Sequence, residues 1–145
     1  MKDITRRSFV LAACVGAPMA PRFAAAHGYK VGDIAVGHPW ALPGPGPNGV
    51  AFVALANRGR TSDKLIGASS PIARGAALRD ADGLASKGLL IEAGRPFAMR
   101  PGARHIALTG LARDLVAGES FALKLRFENA GEIEVEAVVE REPSD

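Results

Sequence analysis

Soft donors and thiols are scarce in this chain: 145 residues contain one cysteine, Cys14, three methionines and three histidines. Cys14, Met1 and Met19 all lie in an N-terminal segment that reads as an export signal cleaved after Ala26. A chain starting at His27 has no thiol, which excludes a disulfide, a Cys-x-x-Cys redox pair, a thiolate metal site and a blue-copper centre. Charge of one sign is also missing. The formal net charge of +3 comes from residues 1–26, where Lys2, Arg6, Arg7 and Arg22 face only Asp3, and residues 27–145 balance acid against base. Nucleic-acid binding would need a basic patch on the folded domain, and this composition gives no basis for one. Aromatics make up only 6% of the chain, so its core is expected to be aliphatic. Ser-His-Asp sets, phosphate loops and clustered metal ligands are absent, and the only grouped carboxylates lie on one solvated hairpin face, so no enzyme is expected.

The N-terminal segment has a specific form. Thr-Arg-Arg-Ser-Phe-Val-Leu at residues 5–11 matches a twin-arginine signal, and Phe-Ala-Ala-Ala at 23–26 offers the small residues a signal peptidase requires. The apolar run between them is about 12 residues, too short to span a bilayer. Export to the periplasm is therefore expected, with 1–26 as signal and 27–145 as one domain. Leu-Ala-Ala-Cys at 11–14 also fits a lipobox. Processing there would leave a protein anchored to the membrane through Cys14, the one arrangement in which a membrane is involved.

Beyond residue 26 the chain is rich in glycine and proline, and its apolar residues recur with a period of two. Strands are predicted at 30–38, 50–57, 63–69, 76–80, 89–92, 97–100 and 104–109, with a proline-rich loop over 43–49. The clearest pattern comes last. Phe121, Leu123, Leu125 and Phe127 alternate with Ala122, Lys124, Arg126 and Glu128, and Ile133, Val135, Ala137 and Val139 follow the Asn-Ala-Gly turn at 129–131. This is a hairpin with one buried face, and its glutamates form the wet one. Eight or so strands and no long helix argue for an all-β sandwich or barrel.

Several stretches together resemble the periplasmic copper chaperones called PCu(A)C proteins. Pro-Gly-Ala-Arg-His-Ile-Ala-Leu-Thr-Gly-Leu at 101–111 is similar to the family's signature strand. Tyr-Lys-Val-Gly-Asp-Ile at 29–34, His-Pro-Trp-Ala at 38–41, Asp-Lys-Leu-Ile-Gly-Ala-Ser-Ser-Pro at 63–71 and the closing hairpin match in order. The resemblance covers nearly all of residues 29–140. It implies a cupredoxin-like β-sandwich, expected to be monomeric, that delivers copper to respiratory oxidase assembly components.

The resemblance also implies a Cu(I) site of two histidines and two methionines, and most of it is missing here. Arg79 stands at the first ligand position, residues 84–90 contain no methionine for the second, His105 fills the third, and Ala107 stands at the fourth. A single imidazole is a poor site for soft Cu(I), and Arg79 adds a positive charge if its side chain points inward. Met99 aligns with an apolar core position and is expected to pack.

Two further readings follow for the histidines. His105 and His38, which precedes Pro39, are each readable as structural residues. Alternatively, His27 at a mature N-terminus offers its α-amine and imidazole as a bidentate chelate for Cu(II), completed by His38 or His105. The expectation is an exported copper-chaperone-family protein whose His/Met site is lost or weakened. The competing expectation is a non-metal interaction module on the same scaffold, in which Arg74, Arg79, Arg95, Arg100 and Arg104 gather to receive an acidic group.

Overall fold

The computed structural model describes residues 28–142, and every regular element in them is a strand. The chain opens with β1 (Tyr29–Val31) and β2 (Ile34–Ala41), then β3 (Gly49–Asn57), β4 (Asp63–Ser69) and β5 (Ala73–Arg79). Short strands follow: β6 (Ala85–Ser86), β7 (Leu89–Ile91) and β8 (Pro96–Ala98). The last three are β9 (His105–Leu111), β10 (Ser120–Phe127) and β11 (Gly131–Val139). Hydrogen bonds link them in the order β6-β5-β9-β3-β2-β11-β10-β4-β7, with β1 added to β2 and β8 to β3. No helix among the described residues is long and apolar enough to cross a membrane.

Eleven strands replace the eight or so expected, and the reasons are local. The 30–38 run is broken by Gly32, whose φ of +55° turns the chain. That conformation favours glycine, and a β-carbon there would crowd Ala130 at 3.2 Å. β2 then continues through Pro39 instead of stopping before it. The antiparallel register against β3 shifts between Gly37 and Trp40, and a proline in such an irregularity has no N–H to leave unpaired. β5 starts three residues earlier than predicted because Ala73 and Gly75 pair with Leu111 and Thr109 of β9, a partnership invisible to local pattern.

β3 is the central strand. Ala51, Phe52 and Val53 are all buried, so it has no solvent face over this stretch. Along one edge it pairs with β2, and the other edge is shared by β9 at Gly49–Ala51 and β8 at Ala54–Ala56. The outer edge of β2 is shared in the same way by β1 and, at Trp40 and Ala41, by a parallel pairing with β11. Asn57 draws the far end of the path back to β3: its side-chain amide donates to Thr61 O and Ile91 O, and its backbone bridges Ala93. The sheet thus curls almost into a barrel around an aliphatic core in which Trp40 and Phe52 stack with ring centroids 4.4 Å apart. The hairpin has the register expected of it, with Lys124 opposite Glu134 and Arg126 opposite Glu132.

One buried carboxylate ties the hairpin turn to β4. Asp63 Oδ1 accepts hydrogen bonds from the N–H groups of Lys64 (2.7 Å) and Asn129 (2.9 Å), and Oδ2 accepts one from Ala130 (2.9 Å). Asp63→Ala would take the acceptor from three part-buried N–H groups, a cost of about 1–3 kcal/mol. Urea unfolding should show a lower midpoint with an unchanged slope, whereas Glu134→Gln on the wet face should shift stability by less than about 0.5 kcal/mol.

Candidate metal site

The position implied for Cu(I) lies on β5 and β9, and the strand register places its occupants. Arg79 is the direct cross-strand partner of His105, and Ala107 pairs with Ala77 of β5 and Val50 of β3. His105 Nδ1 donates its proton to the Ala103 carbonyl at 2.7 Å, because a carbonyl can only accept, and this leaves Nε2 with its lone pair. Among the described residues the one thioether belongs to Met99. Met99 is 5% exposed, is one of the buried core residues, and is held by a hydrogen bond from its N–H to Val53 O, as expected for a packing residue.

The arginines are dispersed over the fold. Arg79 and Arg104 flank His105, and the Arg104 guanidinium lies 4.2 Å from the centre of the Phe97 ring. Arg100 is joined to the same turn by its N–H bond to Arg104 O. Arg74 runs along Gly110 near the opposite end of β5, and Arg95 pairs with Glu92 at 3.3 Å. The five arginines do not form one cluster, since strand order in sequence does not fix which end of a strand a residue occupies.

His38 lies on β2, separated from the His105 strand by β3, so the two imidazoles are on different strands of the sheet. It sits at the register shift with a φ of +31°, a conformation uncommon for any residue with a β-carbon. Its side chain is 58% exposed, and Nε2 contacts Oε1 of Glu140, which the sequence reading had not singled out. The two residues are 102 positions apart and meet only because β11 runs parallel to β2 and the Glu140 N–H bonds to Ala41 O at 3.0 Å. On the adjoining edge, Gly28 packs against the Val36 carbonyl and Gly37, one position short of His38. His27, Cys14 and the twin-arginine segment lie outside the described residues.

Donor chemistry separates the two places. The β5–β9 position pairs one imidazole with an arginine, and alanine with alanine at the next pair of that face. The β2 edge has an imidazole and a carboxylate in contact at the surface, a nitrogen–oxygen pair suited to Cu(II). Among the described residues no three His, Cys, Asp or Glu side chains are grouped to hold a metal by themselves.

The same architecture occurs in known proteins. A family model described as "Putative lipoprotein LpqE-like" matches residues 34–139. No curated protein sequence matches the chain. Among solved structures, the apo PCuAC domain from PmoF1 superposes with a TM-score of 0.75 at 27% identity, covering 80% of this chain and 100% of that one. The copper-bound PCuAC domain from PmoF2 gives 0.73 at 28% identity, covering 80% and 99%. The solution structure of the Cu(I) form of DR1885 from Deinococcus radiodurans gives 0.64 at 23% identity, covering 81% and 83%, a likeness of fold. With the family model covering most of the folded residues and the PCuAC domains sharing the curled sheet, this chain belongs to the LpqE-like family and has the PCuAC fold.

Proposed function

We propose that this protein binds copper in the cell envelope as Cu(II) at the β2 edge, through His27 and His38, and not as Cu(I) at the β5–β9 position. The observation that carries this reading is the register of β5 against β9, which sets Arg79 opposite His105 and alanines at the next pair of that face. A Cu(I) carrier needs soft donors there, and the residues present supply one nitrogen and a positive charge. The copper-bound PmoF2 domain supports copper as the metal, at 28% identity over nearly its whole length.

His38 supports the alternative location. It is exposed, its ring is held by Glu140, and Gly28 brings the start of the described chain alongside Gly37. Cleavage after Ala26 would make His27 the first residue, giving an α-amine and an imidazole in one chelate. The protein would act by binding and releasing its cargo, passing copper on to oxidase assembly components without catalysis. The description of the family as lipoproteins favours a second processing route, at Cys14. That route keeps the His27 imidazole but buries its nitrogen in a peptide bond, so the mass of the mature protein separates the two.

A chain produced with His27 as its free N-terminus should take up one Cu(II) against a competing chelator. His27→Ala and His38→Ala should each weaken it at least tenfold, while His105→Ala should not. Equal binding in all three variants would sink the proposed location, and no binding of either copper ion would favour the interaction module. Restoring donors offers a separate check: Arg79→His with Ala107→Met should raise Cu(I) affinity measurably above that of the native chain while leaving Cu(II) binding unchanged.

A further inference from the structure

We infer that the open groove between the start of β5 and the end of β9 binds an alkyl carboxylate, its hydrocarbon chain against Ile72 and Leu111 and its carboxylate on Arg74. The groove has a volume of about 400 Å³. Sites for small amphiphilic molecules share this size and character, being mostly apolar with a few polar groups that fix orientation. Pro47, Pro71, Ile72 and Leu111 supply most of the apolar wall, and alanine and glycine fill the remaining lining positions. Among the described residues Arg74 is the only charged one that lines it. Ile72 and Leu111 pack on the core yet stay partly exposed, so they present carbon to the groove from fixed positions. Ala73 pairs with Leu111 here, whereas Arg79 pairs with His105 at the far end of the same two strands. The groove is therefore separate from the β5–β9 metal position and from His38 on β2.

Arg74 is laid in place by the lack of a side chain opposite it. Gly110 has a φ of +61°, and a β-carbon there would lie 2.8, 2.9 and 3.0 Å from Cβ, Cγ and Cδ of Arg74. The arginine stem thus runs over Gly110 through space that glycine leaves open. The three ion pairs of the described residues use His38, Arg95 and Arg113, and none gives Arg74 an acid. An unanswered guanidinium beside apolar walls calls for an anion, and its planar fork matches a carboxylate in shape. Main-chain donors decide between classes of anion. The N–H groups of Ile72, Ala73, Leu111 and Ala112 are spent on Ser70 Oγ, Ser70 O, Pro47 O and Ile72 O, and Pro47 and Pro71 have none. A phosphate is held best by several such donors, and an extended peptide needs a ladder of them. An alkyl carboxylate needs only one cation and a carbon surface.

The probes are octanoate, butanoate and octanamide, each titrated into the full chain and followed by the amide signals in nuclear magnetic resonance. Octanoate should shift the Ile72, Arg74, Gly110 and Ala112 signals along one saturable curve. Butanoate should bind at least about tenfold more weakly, because it lacks four methylenes of apolar burial. Octanamide should bind about threefold to fivefold more weakly than octanoate, the scale of a partly exposed charge pair. Arg74→Gln should lose the same factor for octanoate, with its remaining amide signals in native positions as the check on folding. Equal affinity for octanoate and octanamide, or for octanoate in Arg74→Gln, would overturn the proposal. Shifts scattered over the surface, or without saturation, would overturn the groove as a site. Tighter binding of acetyl-Ala-Ala-Leu than of octanoate at the same signals would overturn the alkyl carboxylate in favour of a peptide terminus.

Discussion

Burial of β3 on both faces is the constraint to which the remaining elements conform. Ala51, Phe52 and Val53 leave no position on this stretch for a polar side chain, and backbone groups so enclosed must all be paired within the sheet. The two edges of β3 therefore carry β2 on one side and β9 with β8 on the other. This arrangement sends His38 and His105 to opposite sides of a dry strand. Whatever each imidazole does, it does with different neighbours.

The neighbours differ in kind. On the β9 side, His105 faces Arg79, spends one ring nitrogen on the Ala103 carbonyl and has core residues behind it. Met99 cannot leave that core to serve as a ligand without opening a cavity, which is costly in an interior packed as closely as this one. On the β2 side, His38 has a carboxylate and open solvent. The scaffold does not depend on which side chains stand at Arg79 and Ala107, because one ends β5 and the other is a half-buried position of β9 outside the core. A fold can persist in this way while its ligand positions change, which is why the PCuAC architecture by itself says little about where an ion binds.

The parallel pairing of β2 with β11 has a separate consequence. It is short, only Trp40 with Val138 and Ala41 with Val139, yet it sets the first and last long strands side by side and carries Glu140 to His38. Asp63 does comparable work at the other end, where one buried carboxylate holds the turn of the closing hairpin against β4. Both contacts join the final third of the chain to the first half, so the ends of the fold are fastened by polar groups and its middle by aliphatic packing.

Much of this was legible in the sequence. Period-two alternation gave the β10–β11 hairpin and its register, and the Pro-Gly turn at 101–102 followed by His-Ile-Ala-Leu gave β9 with Ile106 and Leu108 inward, because side-chain direction along a strand is a local property. The scarcity of cysteine and methionine could likewise be counted residue by residue. The short strand β6, the division of the first run at Gly32 and the early start of β5 could not, since each depends on a partner strand or a close contact supplied from elsewhere in the chain. The same holds for function: sequence determined that His38 exists and that Glu140 is an ordinary glutamate near the C-terminus. Only the tertiary structure set one against the other, because a contact across 102 residues is decided by which strands pair, and strand pairing is settled by burial of the whole core at once.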